Sequence, residues 1–544
     1  MKHFFNRRET IVTEAIDGFL RTSKPGKLAR LDGYPDIKVV VRADWDKSRV
    51  ALVSGGGSGH EPSHAGFVGG GMLTAAVCGD IFASPSTEAV LAAIRAVTGE
   101  AGCLLIVKNY TGDRLNFGLA VEKARAEGFA VEMVIVADDI ALPNLPQPRG
   151  VAGTLFVHKI AGHLAETGAD LVTIAAAARA VAADTISLGM SLSSCSIPGQ
   201  AHEERLGERE GELGLGIHGE PGVERIELAN ASALVRRMSD RLASHIDPAA
   251  QYALLLNNLG AVPPLEMSLL ANSVLDSRLG QHIALAIGPA PLMTALNMNG
   301  FSLSLLKLSP AREAALCSQV EPNAWTPAGP IGQVQLVELP ARGMVQAVSA
   351  SSDARVEGLI QAICSRLIDV EPELNRLDSK TGDGDTGSTV SAGARSIVDR
   401  LDQMPLANLS ATLAAIGSTL GSSMGGSSGV LLSIFFTSAA KALEGGAALP
   451  DALLHGLDRM KFYGGANRGD RTMIDALEPA LVALSASNLE AAARAAQDGA
   501  QATARMKSAK AGRSAYLGDG QLEGHVDPGA QAVAEAFASI AYRA

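Results

Sequence analysis

The chain has 544 residues, 47% of them apolar and 19% charged, with a formal net charge of −11. Disorder requires low hydrophobicity and high net charge, so this chain folds, and its length suits two or three domains. The acidic balance excludes a general binder of nucleic acid or anionic membrane, while 4% aromatics and 58 glycines point to a small-aliphatic core and backbone-lined sites.

The opening residues 1–8 carry basic side chains but no apolar stretch after them, so no signal peptide is expected. No uninterrupted apolar run of about 18 residues is present, so no membrane-spanning helix is expected. Cys78, Cys103, Cys195, Cys317 and Cys364 are widely spaced and form no CxxC. That argues against a disulfide scaffold or structural zinc, and for small core residues in a reducing cytoplasm.

Over the first 320 residues, short apolar runs alternate with amphipathic stretches. The runs are Ile37–Val41, Val50–Val53, Cys103–Val107, Val131–Val136, Ala253–Leu256 and Ile283–Ile287; the stretches include Thr87–Val97 and Leu115–Ala126. This predicts an α/β domain with buried, mixed sheets. The run Val50–Val53 leads into Ser54-Gly55-Gly56-Gly57-Ser58-Gly59-His60-Glu61-Pro62, read as a loop that brings backbone close to a ligand. It is not a dinucleotide fingerprint, because Pro62 stands where the third glycine belongs. Lys108-Asn109-Tyr110-Thr111-Gly112-Asp113 follows another strand end, where a lysine and carboxylate can bind hydroxyls and the aspartate can act as a base or as a helix N-cap. His218, in Gly214–Gly222, stands between glycines beside Glu220 as an open imidazole able to attack a carbonyl. Asn257-Asn258-Leu259-Gly260 is a further polar strand end.

From about Glu321 to Ala350, Pro322, Pro327, Pro330 and Pro340 interrupt any helix. Residues 1–330 are read as one domain, 331–350 as a linker with Ile331–Leu339 a surface strand, and 351–544 as an all-α domain. In the last, Val356–Ile368, Leu409–Leu420, Ala452–Met460 and Leu489–Ala504 have helical spacing. Asp378, Asp383 and Asp385 repel one another unless a cation binds, and their oxygens suit Mg²⁺ with phosphates. An EF-hand is excluded, since its twelfth position falls on Ala394. Gly425-Gly426-Ser427-Ser428 opens a helix as an anion site, no GxxxxGK[ST] occurs, and Arg471, Lys510 and Arg513 stand ready to screen phosphates.

These segments resemble the single-chain, ATP-dependent dihydroxyacetone kinase family over essentially the whole length. The resemblance rests on Ser54–Pro62, Met72–Ser86, Lys108–Asn116 and Gly216–Gly222 in the first half, and on Asp378–Thr389, Met424–Leu431, Gly469–Leu477 and Asp527–Ala530 in the second. It implies an α/β substrate domain and an eight-helix barrel that binds ATP. It implies that His218 holds a ketose as a covalent hemiaminal, that Gly57, Ser58, Gly59, His60, Lys108 and Asp113 bind its hydroxyls, and that His60 and Asp113 deprotonate the attacking hydroxyl. Asp378, Asp383 and Asp385 are implied ligands of two Mg²⁺ ions. Implied ATP contacts are Asp385, Thr386, Gly387, Ser388, Thr389, Gly425, Gly426, Ser427, Ser428, Thr472, Met473, Arg513, Asp527, Pro528 and Gly529. A cytoplasmic homodimer that exchanges domains between chains is implied too. Another short ketose such as erythrulose, or cyclising cleavage of FAD, is the alternative chemistry. A kinase with its domains on separate chains is disfavoured by the fusion, and a non-enzymatic regulator by the presence of His218 and the three aspartates.

Overall fold

The computed structural model describes residues 3–142, 147–201, 205–340, 349–486, 488–517 and 520–541. It divides into two compact units, Met1–Leu336 and Val337–Ala544.

In the first unit, β1 (Leu28–Arg30), β2 (Val39–Arg42), β3 (Ala51–Ser58), β4 (Ala75–Ile81), β5 (Cys103–Lys108) and β6 (Val131–Val136) form a sheet in the order β1-β2-β4-β3-β5-β6. Strand β3 lies parallel to β4 and β5, and β5 to β6, while β1 and β2 pair antiparallel. A second sheet has the order β13-β11-β10-β12-β7-β8-β9. Its strands are β7 (Thr185–Ser191), β8 (Glu210–Leu213), β9 (Glu224–Glu227), β10 (Tyr252–Asn258), β11 (Ile283–Ala290), β12 (Gly300–Lys307) and β13 (Gly329–Pro330). Only β10 and β11 pair in parallel there.

The unbroken apolar runs follow from burial of both sheet faces. On β3 and β5, Leu52, Leu104 and Ile106 join the core built around helices Thr154–Glu166 and Leu171–Ala183. The alternate residues Ala51, Val53, Cys103, Leu105 and Val107 pack under Thr87–Val97 and Thr111–Ala126. On β10, Ala253 and Leu255 face the first of these cores, and Leu254 and Leu256 face a third one beneath Ala231–Ala243 and Pro264–Leu275. Each leucine or isoleucine buried this way contributes roughly 1.5–3 kcal/mol. Ser86 caps Thr87–Val97 by accepting from Ala89 N–H, which sets where that helix begins.

Four expectations are corrected. The glycine segment is not a loop: β3 continues through it to Ser58, with a register shift between Gly56 and Ser58. Asp113 is not an N-cap, because the helix Thr111–Ala126 is preceded by Tyr110 and holds Asp113 in its first turn. The run Ile331–Leu339 forms no strand. Strand β13 pairs antiparallel with β11, Leu285 to Pro330 and Ala286 to Gly329, so continuing the ladder exhausts β11 at Ile283 and leaves Val334, Leu336, Val337 and Leu339 exposed. Of the five free cysteines, Cys103 and Cys364 are buried as expected, Cys78 and Cys195 are only partly so, and Cys317 is exposed at the end of helix Pro310–Cys317. Within the expected linker, 341–348 lies outside the described residues.

The second unit has no strand among its described residues. Helices Ala354–Asp369, Thr386–Val398, Leu409–Ser423, Gly426–Glu444, Leu449–Gly464, Ile474–Ser485, Leu489–Thr503 and Pro528–Ile540 each pack on the next, and the last packs on the first, closing a ring of eight. A short ninth helix, Glu371–Asp378, follows the first after Val370 and lies against Thr386–Val398 and Pro528–Ile540. Side-chain caps from Asp353, Asn408, Asn488 and Asp527 fix four of the starts, each worth about 0.5–2 kcal/mol. Helix Gly426–Glu444 is long and apolar enough, by length and composition, to cross a bilayer. No uninterrupted apolar run marks it, because Ser, Thr and Lys punctuate the segment. In the structure it is one wall of the ring, packed between Leu409–Ser423 and Leu449–Gly464.

Candidate active site

The first cluster gathers at the ends of β3 and β5. His60 is fully buried, and its Nδ1 lies 2.7 Å from the Thr294 carbonyl. A carbonyl only accepts, so the proton sits on Nδ1 and the Nε2 lone pair is free; Nε2 is buried without a partner. Burial, with the nearby His218 and Lys108, holds this imidazole well below its usual range and keeps it neutral. The Thr294 carbonyl is positioned by Asn257, whose Oδ1 accepts from Leu292 and Met293 N–H at 3.0 and 2.8 Å. The expected polar strand end at Asn257 thus orders the segment that fixes the His60 tautomer.

His218 is enclosed rather than open. Its ring meets Tyr110 edge-on at 4.3 Å, His60 at 4.8 Å and Phe82 at 5.4 Å between centroids. Its Nδ1 lies 3.5 Å from Glu220 Oε1, and its N–H donates to Glu220 Oε2 at 2.9 Å. Burial raises the Glu220 carboxyl, but the His218 ring and backbone N–H outweigh it and hold the group down at about 2. With Nδ1 turned to the carboxylate, Nε2 is the nitrogen left for a carbonyl carbon.

Lys108 and Asp113 are both buried, and Asp113 Oδ1 has no partner. A β-carbon on Gly56, at φ +152°, would stand 2.8 Å from Lys108 Nζ and 3.5 Å from Asp113 Oδ2, so only glycine admits both groups there. Burial lowers the Lys108 ammonium, and Asp113 and Asp138 partly offset that. Ser58 and Gly59 are already committed: the Ser58 hydroxyl donates to the Gly79 carbonyl at 2.8 Å, and Gly59 N–H donates to the Glu61 carboxylate at 3.0 Å. Gly57 packs against the Phe82 and Ala83 backbone. The structure therefore brings together the side chains of His60, Lys108, Asp113 and His218, while Ser58 and Gly59 spend these polar groups within the fold. A cavity of about 650 Å³ along β6 and Asp138–Ile140 is lined by none of these.

The second cluster belongs to the second unit. Asp378, Asp383 and Asp385 each present an oxygen within 4.8 Å of the others. Asp378 Oδ2 accepts from Gly384, Asp385 and Thr386 N–H at 3.1, 3.0 and 3.1 Å, which curls the loop so that all three carboxylates meet. An all-oxygen, triply negative donor set fits a hard divalent cation. Gly387 and Ser388 pack on the preceding helix: Ser388 N–H donates to Asn375 Oδ1 at 3.0 Å, and its hydroxyl donates to Glu371 Oε1 at 3.2 Å. Thr389 continues the first turn of Thr386–Val398.

Other loops tie to this one. The Ser514 hydroxyl donates to the Thr381 carbonyl at 3.2 Å. The buried Arg471 guanidinium donates to Ser514 Oγ at 3.3 Å and to the His525 carbonyl at 2.8 Å, and lies 3.8 Å from Asp527 Oδ2. Thr472 N–H donates to Asp475 Oδ2, and Met473 lies against Gly529, beside Pro528 at the helix start. Burial pushes the Asp527 carboxyl up to about 6. Gly425-Gly426-Ser427-Ser428 forms a helix start with no side-chain cap, leaving its N–H groups open, and connects through Met424, which packs on Gly393. The Arg513 side chain lies outside the described residues. Arg471 is a buried tie rather than the exposed phosphate screen expected of it.

Thr294 lies outside every motif of the sequence, whereas Phe82, Tyr110 and Asp475 lie within Met72–Ser86, Lys108–Asn116 and Gly469–Leu477 but have no role of their own there. Phe82 takes φ +56°, a conformation no residue pattern announces.

The chain is matched by the Dak1 domain over residues 22–324 and the DAK2 domain over residues 380–542. It is 52% identical to dihydroxyacetone kinase of Citrobacter freundii, over 99% of this chain and 98% of that protein. It is 42% identical to triokinase/FMN cyclase of Homo sapiens, over 92% and 93%. The crystal structure of the C. freundii dihydroxyacetone kinase in complex with AMP-PNP and Mg²⁺ matches at TM-score 0.71 and 49% identity, covering 100% of each chain. With both domains matched in order and half of its residues shared along the full length, the chain belongs to the dihydroxyacetone kinase family.

Proposed function

We propose that this protein transfers the γ-phosphoryl group of ATP to a hydroxyl of a short ketose, dihydroxyacetone first among them, while the ketose is held as a hemiaminal on His218. The observation that carries the reading is the enclosure of His218: Glu220 engages Nδ1, and His60 and Tyr110 wall the ring. In the addition, Nε2 bonds to the ketone carbon as the C=O π bond opens, the oxygen takes up a proton, and Nδ1 releases one. Glu220 stabilises the positive charge that develops on the ring meanwhile. Capture demands a carbonyl, so glycerol is refused.

Lys108 orients the ketose hydroxyls, with Gly57, Ser58 and Gly59 forming the strand end beside it. His60 Nε2 and Asp113 Oδ1 are the unpartnered acceptors for the proton of the attacking hydroxyl. Phosphoryl transfer is mostly positioning and charge neutralisation, so a weak base suffices. Asp378, Asp383 and Asp385 would hold Mg²⁺, as two ions, which when bound neutralises the nucleotide phosphates. Gly425–Ser428 and residues 385–389, 472–473 and 527–529 surround the nucleotide, with Arg513 on its phosphates. The active form is a cytoplasmic homodimer in which the 331–350 linker lets domains of 1–330 and 351–544 meet across chains.

Initial rates of Mg·ATP-dependent phosphorylation over a panel of dihydroxyacetone, erythrulose, longer ketoses and glycerol test the reading. Phosphorylation of glycerol as readily as of ketoses would sink it. A second reading, cyclising cleavage of FAD, is favoured by the similarity to human triokinase/FMN cyclase, and incubation with FAD and Mn²⁺ tests for it.

A further inference from the structure

Below the ketose cluster, the Lys108 ammonium is held by unusual partners. It has three N–H donors and no acceptor. One donates to the Gly55 carbonyl at 3.2 Å and one to His64 Nε2 at 2.6 Å; neither partner is a carboxylate. Its third donor has no partner of this kind among the described residues, and Nζ and Asp113 Oδ2 flank Gly56, 2.8 and 3.5 Å from where a β-carbon on that residue would stand.

The protons around it can be assigned. An ammonium only donates, so His64 accepts on Nε2 and carries its proton on Nδ1. The Ser54 hydroxyl donates to the Ile106 carbonyl at 2.6 Å, so it accepts from His158 Nε2 at 3.1 Å, and His158 carries its proton there. The His158 ring, fully buried, backs His64 edge-on at 5.1 Å between centroids. Both imidazoles are neutral, pressed there by burial first and by the Lys108 charge second.

We propose that His64 is the positioning residue for Lys108. Its Nε2 lone pair turns the ammonium so that the remaining N–H faces Gly56 and the ketose hydroxyl. A buried ammonium lacking that acceptor would swing onto the Asp113 carboxylate, and the resulting ion pair would take Asp113 away from the substrate. His158 keeps the His64 ring from turning. This rests on the reading of the site as a ketose site.

The test compares three variants of the full-length chain. Glutamine places an acceptor near the position of Nε2, asparagine is too short to do so, and leucine fills the volume with no acceptor. His64→Leu is expected to raise KM for dihydroxyacetone about tenfold or more, the scale of one hydrogen bond to a charged group, with KM for ATP unchanged and His64→Gln near the parent. If His64→Leu fails to fold, the ordering of His64→Gln over His64→Asn carries the same prediction. Equal ketose KM values for the glutamine and leucine variants, or for glutamine and asparagine, reduce His64 to packing and overturn the proposal. A parent protein that phosphorylates no ketose overturns the ketose reading itself, a result distinct from an active parent whose variants fail to separate.

Discussion

In the proposed reaction a single imidazole and its carboxylate do most of the selecting. Without His218 a ketose has no covalent hold, so His218→Ala should show no adduct by intact-protein mass spectrometry and much weaker ketose binding by calorimetry. Some turnover is compatible with this, since Lys108 and Asp113 still orient hydroxyls. Glu220 gives a second prediction through its low carboxyl, at about 2 against an ordinary 4.5. A carboxyl depressed in the folded state adds stability above its unfolded value, and that stability is lost as pH falls through the folded value. The parent and Glu220→Gln should therefore differ most in denaturant midpoint above about pH 5 and converge towards pH 2. A gap that stays constant down to pH 2 would show that Glu220 carries no such charge linkage. At this scale much was legible: His60, Asp113, Lys108 and His218 stood out as chemically able side chains beside glycines. Their surroundings were not legible. That His218 is walled by Phe82 and Tyr110, and that Ser58 spends its hydroxyl on Gly79, depend on contacts made across the fold.

Two elements carry the sites, a glycine-rich strand and an aspartate loop. On β3, a β-carbon at Gly57 would stand 2.7 Å from Ala83 N and 2.8 Å from Phe82 C, both backbone atoms that cannot rotate away. Gly57→Ala should cost about 1–3 kcal/mol of stability and weaken ketose binding as Phe82 shifts. A variant with unchanged melting and unchanged KM would show that the strand tolerates the push. In the aspartate loop, Asp378 spends one oxygen on three N–H groups and so builds the turn, whereas Asp383 and Asp385 are exposed. Asp383→Ala should raise the Mg²⁺ concentration needed for half-maximal turnover and cut the rate sharply, while ketose capture persists. An unchanged magnesium dependence would remove Asp383 from the metal site. Helices in the second unit could be read from their apolar spacing, because each presents a buried stripe to its neighbours. A run of glycines carries no strand propensity and so reads as a loop; the parallel ladder to β4, which continues through Gly55 and Gly56 to Ser58, overrides that.

At the scale of the molecule, the two units each hold their own cores and their own cluster, and in the proposed reaction Mg·ATP must reach the captured ketose. Residues 1–330 and 351–544, expressed apart, should each fold, and mixing them should restore activity at a rate that rises with concentration. A linker of this length keeps its partners at roughly millimolar local concentration, an advantage lost on cutting. Mixing His218→Ala with Asp383→Ala protein should recover activity if sites form across chains; recovery in the cut pair alone would leave two domains and refute the crossed arrangement. The change from alternating runs to purely helical spacing made the two-part architecture visible in the sequence. The closure of eight helices into a ring was not visible there, because it lies in which helix meets which rather than in any one segment. The most direct measurement of the central claim is the rate of Mg·ATP-dependent phosphorylation of dihydroxyacetone against glycerol, for the parent and for His218→Ala. The parent is expected to phosphorylate dihydroxyacetone and refuse glycerol, and the variant to have lost most of that preference. A variant that separates the two substrates as well as the parent does would contradict it.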